Sequence, residues 1–306
     1  MIVFLIRTRL QCLIAARLVE TIGQGQPYHA IFLYDKSRTE DAPAVYRHYQ
    51  KFRRNAIGST DIVSAEGLLH NIIRIFPLMF RSQLLGGCCY LSVVDSVPVA
   101  MALRMVPWLP LETFDDGFFN IQPGSRLYGM GPLPGGGLKR RLARAFFPNG
   151  SAEWMRTRSR RHHTIFPGRQ NILPEDRVTN IDLDWSQLLE ATDSNKIVPA
   201  VRSVILGTAH QDFPDPEASR KRADRLLENA DLYIRHPRET RWNEHPKIQD
   251  FDSPAEAVLQ ELAKHSPLTV HHFNSTVAVT LSGHGAIDFI NMVNDETREL
   301  AIETKG

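Results

Sequence analysis

Residues 205–239, ILGTAHQDFPDPEASRKRADRLLENADLYIRHPRE, restrict the fold of this chain more than any other stretch. The apolar run Val201–Leu206 suits a buried strand. Gly207–Glu217 is a glycine-containing loop with acids, and Ala218–Asn229 has the periodicity of an amphipathic helix. Leu232–Ile234 is a second apolar run, stopped by His236-Pro237-Arg238. Strand, helix and strand in that order make a β-α-β unit. In an open parallel sheet, ligands sit beyond the carboxyl ends of the strands. Asp212 follows one such end and His236 the next, so a carboxylate and an imidazole can share one cleft with Arg238 beside them. A polar loop with a helix-stopping His-Pro reads the same way in sequence.

The rhythm recurs along the chain. Ile2–Ile6 is a continuous apolar run, as a parallel strand covered on both faces requires. Further strands are expected at Ala30–Tyr34, Cys88–Val94, Leu111–Phe114, His163–Phe166 and Leu268–His272. Helices are expected at Leu10–Glu20, His48–Arg54, Glu66–Arg81, Val97–Met105, Leu138–Phe147 and Pro254–Lys264, the last opened by Ser253 as N-cap. With 306 residues there is room for two domains. The expected division is 1–167, a linker at 168–196, and 197–306. This is α/β architecture.

Net charge is +2, which implies no polyelectrolyte role. The charge is uneven, however: eight Lys and Arg side chains stand between Lys139 and Arg161, against Glu153 alone. That stretch suits anionic lipid or nucleic acid, or simply a solvated face. Cys12, Cys88 and Cys89 are too few and too apolar in setting for a disulfide framework, which points to a reducing compartment. Arg7 and Arg9 interrupt the apolar start after six residues. A membrane helix needs about 20 apolar residues. The expectation is therefore a cytoplasmic protein whose membrane contact is peripheral at most.

Other polar motifs are less specific. Asp115-Asp116-Gly117 is turn chemistry, or a carboxylate that orients a sugar hydroxyl. A third ligand at metal spacing is lacking nearby, so no metal is expected. Pro132–Gly137 lacks the Lys-Ser/Thr ending of a phosphate loop and reads as an excursion. Ser275 and Thr276 open an element where hydroxyls can cap a helix or hold phosphate.

Six segments in order, LIRTRLQCLIAARLVE, TFDDGFFNI, HHTIFPGRQNILPE, ILGT with Asp212, HPRE and FNST, resemble the bacterial lipooligosaccharide sialyltransferases of glycosyltransferase family 52. The resemblance covers nearly the whole chain. It implies a glycosyltransferase B-type fold, two Rossmann-like domains facing a central cleft. It also implies a CMP-sialic acid donor, a terminal galactose acceptor on a surface glycolipid, inversion, no metal, no cofactor and a homodimer. The family's general acid maps onto His236. Its general base falls on His210 by ungapped counting and on Asp212 by residue type, with Asp215 also open. Gly207, Thr208, Pro237, Arg238, Ser275 and Thr276 are implied donor contacts. Gln11, Asp115, Asp116 and Gly117 are implied as acceptor-side or structural. Two other functions stay open: the same fold with another nucleotide sugar, and a non-catalytic binder of anionic lipid or nucleic acid.

Overall fold

The computed structural model describes residues 1–23, 25–34, 42–63, 67–92, 94, 96–123, 125, 127–128, 145–237, 239 and 244–293. The chain divides into two units, Met1–Leu183 and Asp184–Gly306.

In the first unit, β1 (Ile2–Ile6) is buried throughout. It lies inside a parallel sheet with β2 (Tyr28–Tyr34), β3 (Gly58–Val63), β4 (Cys89–Leu91), β5 (Leu111–Phe114), β6 (Arg161–Thr164) and β7 (Val178–Asn180), in the order β3-β2-β1-β4-β5-β6-β7. Side chains alternate across the sheet. Val3 and Leu5 join a core with Ile31, Leu91, Ile75 and Met79. Phe4 points the other way, stacks on Tyr90 and meets Tyr28 and Phe52 edge-on. The helices are α1 (Arg9–Thr21), α2 (Ala42–Arg53), α3 (Leu68–Leu84), α4 (Val97–Arg104) and α5 (Ser151–Arg158). A capping box starts α1: Thr8 accepts from Gln11 N, and the Gln11 side chain accepts from Thr8 N.

The second unit holds β8 (Ser203–Leu206), β9 (Leu232–Ile234), β10 (Ile248–Gln249), β11 (Leu268–His272) and β12 (Ile287–Asn291). They form a parallel sheet in the order β10-β9-β8-β11-β12. Its helices are α6 (Ala191–Ser194), α7 (Pro216–Asn229), α8 (Ala255–Ala263) and α9 (Thr276–Thr280). Two parallel-strand sheets with crossover helices give the expected two-domain, Rossmann-like α/β class.

Several expectations are corrected. The strands β3, β7, β10 and β12 carry polar or short apolar runs at sheet margins, so continuous hydrophobicity does not mark them. Residues 168–196 hold β7 and α6. Ser253 is no N-cap: Pro254 takes that position. The Ser253 hydroxyl donates to the buried Asp193 Oδ2 at 2.6 Å and accepts from Glu190 N at 2.8 Å. Residues 132–137 and 139–144 lie outside the described residues, as does most of the helix expected at 138–147. Of the later basic residues, Arg156 pairs with Glu153. Arg158 donates to the carbonyl oxygens of Leu103, Val106 and Leu109 at 2.6–2.9 Å. It therefore closes the end of α4 rather than facing a partner.

Arg158→Met removes every one of those donors and leaves three carbonyls to find water. Hydrogen bonds from a charged group contribute about 1.5–3 kcal/mol each. We expect about 3 kcal/mol of lost stability by urea denaturation; an unshifted midpoint would show that the three carbonyls are readily rehydrated.

Candidate active site

The second sheet changes direction of growth between β8 and β11, which makes that crevice its topological switch point. Three loops leave this carboxyl edge. Gly207-Thr208-Ala209 follows β8, His236-Pro237 follows β9, and Phe273-Asn274-Ser275 follows β11. Register fixes them side by side, because Leu206 pairs with both Ile234 and His272. The predicted Gly207, Thr208, His236, Pro237, Ser275 and Thr276 are thus gathered on one edge. Arg238 lies outside the described residues. The backbone of Asp212 sits in the single turn His210–Asp212 after β8, on the same edge. A small pocket of about 60 Å³ opens there, lined by Phe213, Asp215, Arg222, Phe273 and Met292 among others.

A buried hydrogen-bond chain holds two of these loops. Tyr233 Oη donates to Glu239 Oε1 at 2.9 Å. Tyr233 then accepts from His210 Nε2 at 3.3 Å, and His210 Nδ1 accepts from Ser219 Oγ at 2.8 Å. This network assigns the Nε2–H tautomer. Glu239 Oε2 accepts from the backbone N–H of His236 at 3.2 Å, which orients the His-Pro turn. A Cβ on Gly207 would lie 2.3 Å from the same Oε2, so only glycine fits there. Glu239 and Tyr233 carry no catalytic motif. The one signal in sequence was an acid three residues after His236, and nothing there showed that it is buried.

The alternative bases are otherwise engaged. His210 is fully buried. Burial, and then the charge of Arg220, push its pKa down to about 4, so it stays neutral. Asp215 caps α7 by accepting from Ala218 N at 2.9 Å. Ser275 caps α9, accepting from Val277 N at 3.3 Å. Asn274 beside it has φ 56°, the left-handed conformation that Asn tolerates best among side-chain-bearing residues.

In the first unit the switch point lies between β1 and β4. Gln11 is buried at the start of α1. Its Oε1 accepts from Arg7 N at 2.5 Å and its Nε2 donates to Asp116 Oδ1. Asp116 N donates to Asn120 Oδ1 at 2.6 Å. Gly117 has φ 96°, so the turn needs glycine. Among the described residues, buried Arg7 Nε, Asn120 Nδ2 and Ser92 Oγ have no hydrogen-bond partner. Asp115, by contrast, is structural. It is fully buried and accepts from Thr164 Oγ1, Ile165 N and His162 Nε2 at 2.7–3.0 Å. The two adjacent acids have separate jobs because successive side chains point to opposite sides.

The neutrality of His210 makes a pH prediction. Its folded pKa lies below the ordinary 6.5, so the unfolded chain takes up a proton first as pH falls. The stability it contributes is whole above pH 6.5 and is lost towards pH 4, by roughly 3 kcal/mol. His210→Gln should flatten the urea midpoint against pH across that window. Parallel curves for variant and wild type would contradict a neutral buried imidazole.

No family model matches the chain. A CMP-N-acetylneuraminate:beta-galactoside alpha-2,3-sialyltransferase of Pasteurella multocida is 27% identical over 210 residues, 67% of this chain and 64% of that protein. An N-acetyllactosaminide alpha-2,3-sialyltransferase of Neisseria meningitidis is 28% identical over 204 residues, 63% of this chain and 51% of that protein. The matches thus span between half and two thirds of these relatives' lengths. Among solved structures, a UDP-N-acetylglucosamine 2-epimerase superposes with TM-score 0.53 and 9% identity, over 98% of this chain and 85% of its own. The Rickettsia bellii enzyme of that name gives 0.50 and 10%, over 99% and 87%. These two share the fold. By sequence this chain is similar to two bacterial proteins named as alpha-2,3-sialyltransferases, in line with the resemblance to bacterial sialyltransferases that its motifs carry.

Proposed function

We propose that this chain transfers sialic acid from CMP-sialic acid to a terminal galactose of a surface glycan, of the lipooligosaccharide or lipopolysaccharide type. The observation that carries this reading is the similarity to two proteins named as alpha-2,3-sialyltransferases, one of them named also for a CMP-N-acetylneuraminate donor and a beta-galactoside acceptor. In the proposed reaction the acceptor hydroxyl oxygen attacks the anomeric carbon and the bond to the CMP phosphate oxygen breaks, with inversion. Asp212 takes the hydroxyl proton. His236 donates to the leaving phosphate oxygen, whose charge grows as the bond breaks. Ser275 supplies a second donor, its hydroxyl, and Gly207 and Thr208 bring backbone close to the phosphate. Charge stabilisation by these side chains removes the need for a metal. The nucleotide enters the crevice near Phe213, Arg222 and Phe273.

The acceptor side belongs to the first unit in this reading. Asp116, held by Gln11, accepts from sugar hydroxyls. Arg7 Nε and Asn120 Nδ2 are buried donors that a hydroxyl oxygen would satisfy. Leaving such groups unpaired costs about 1–3 kcal/mol each, which makes a polar ligand a favourable occupant.

His236→Ala should lower turnover of CMP-sialic acid with a galactose-ended acceptor by about 10²–10³-fold. Asp212→Asn should lower it by about 10²–10⁴-fold while thermal stabilisation by CMP persists. Undiminished turnover in His236→Ala would remove the mechanism. Stabilisation by UDP but not CMP would move the chain to a different nucleotide sugar.

A further inference from the structure

The carboxyl edge of the first sheet gathers polar atoms that the protein itself does not pair. Strands β1, β4 and β5 lie side by side, with Leu5, Leu91 and Thr113 in register. The next residue on the middle strand is Ser92. It stands at the switch point, between Arg7, which follows β1, and Asp116, which follows β5. Leu91 belongs to the core on one side of the sheet. Alternation turns Ser92 to the other side, where Phe4 stacks on Tyr90 and meets Phe52 of α2 edge-on. Helix α1 packs against α2 and carries Gln11. Gln11 in turn binds Arg7 N through Oε1 and Asp116 Oδ1 through Nε2. Asn120 joins by accepting from Asp116 N at 2.6 Å. Ser92 and Asn120 are fully buried. Among the described residues, Ser92 Oγ, Asn120 Nδ2 and Arg7 Nε nonetheless have no hydrogen-bond partner.

Donor and acceptor chemistry decides the ligand. Arg7 Nε and Asn120 Nδ2 only donate, the Asp116 carboxylate accepts, and the Ser92 hydroxyl does both. A phosphate or carboxylate offers acceptors alone and would meet repulsion from Asp116. An apolar group would leave all three unpaired atoms unpaired, and such atoms are costly when buried. A sugar hydroxyl donates and accepts at once, so adjacent hydroxyls on one ring match a set that holds both kinds of group. A site built to hydrogen-bond a hydroxyl also rejects the analogue that lacks it, far more strongly than an apolar pocket rejects one methylene. We propose that Ser92 is a specificity-determining residue that, with Arg7 and Asn120, binds adjacent hydroxyls of a neutral sugar. That this sugar is the acceptor of sialic acid rests on the sialyl-transfer reading.

The test is an NMR titration of the full chain, with CMP present, using methyl β-galactoside and a set of analogues that each lack one hydroxyl. Wild type should bind the parent sugar and lose about five- to tenfold in affinity for at least one analogue. Ser92→Ala should bind the parent about five- to tenfold more weakly. Its penalty for that same analogue should shrink below about twofold, because the partner of the missing hydroxyl is gone. Without sugar, Ser92→Ala should melt at or above the wild-type temperature, since the hydroxyl it removes is unpaired. Equal penalties in wild type and variant would overturn the proposal, as would a wild type that binds no galactoside. So would a variant that melts well below wild type, which would give the hydroxyl a structural partner instead. Ser92-dependent sugar binding without turnover of CMP-sialic acid would remove the sialyl-transfer reading and leave this site standing. Turnover with penalties indifferent to Ser92 would do the reverse.

Discussion

The carboxylate of Glu239 lies 5% exposed under the carboxyl edge of the second sheet. A buried carboxylate must be hydrogen-bonded, and this one binds groups from two different places. Tyr233 reaches it from within β9, and the backbone of His236 reaches it from the turn beyond. Through Tyr233 the connection continues to His210 and Ser219, and so to the loop after β8 and to α7. The edge that gathers His236, Gly207 and Asp212 is therefore tied from below by side chains that need not touch any ligand. Gly207 follows from the same constraint, since the carboxylate occupies the space a Cβ would take.

The first unit applies a similar arrangement with a different outcome. Asp115 is saturated by donors from β6 and the residues after it, and joins two strands. Asp116, one residue later, turns to Gln11 at the start of α1. Among the described residues, buried Arg7 Nε and Asn120 Nδ2, on residues linked to it through Gln11 and its own backbone, have no hydrogen-bond partner, which is uncommon for a well-packed interior. One edge of each sheet thus carries polar groups, because parallel strands are buried on both faces and only their ends can hold such chemistry. The outward side of α3 differs from both edges. Its exposed Phe80 stacks on Phe76, which packs against the core.

Much of this was legible before any coordinates. Ile2–Ile6, Leu232–Ile234 and Leu268–His272 are strands with the bounds read from sequence, because continuous apolar runs between turn signals leave little choice. The edge position of His236 and Ser275 followed from the β-α-β order. Short polar strands such as Val178–Asn180 were not legible, since what makes them strands is a neighbour's exposed edge rather than their own side chains. The role of Arg158 was not legible either: a guanidinium that closes the end of a helix has the same letter as one in water.

Apolar runs and helical periods determined the class, the count of two sheets' worth of β/α units and the edge that gathers the candidate site residues. Those are consequences of local geometry, which the order of residues carries directly. Only the tertiary structure decided that His210 is a buried neutral link, that Asp115 is a strut and that Glu239 underlies the His-Pro turn. Each of those roles depends on which side chains arrive from distant strands, and burial of a polar group is a property of its neighbours rather than of its own residue type.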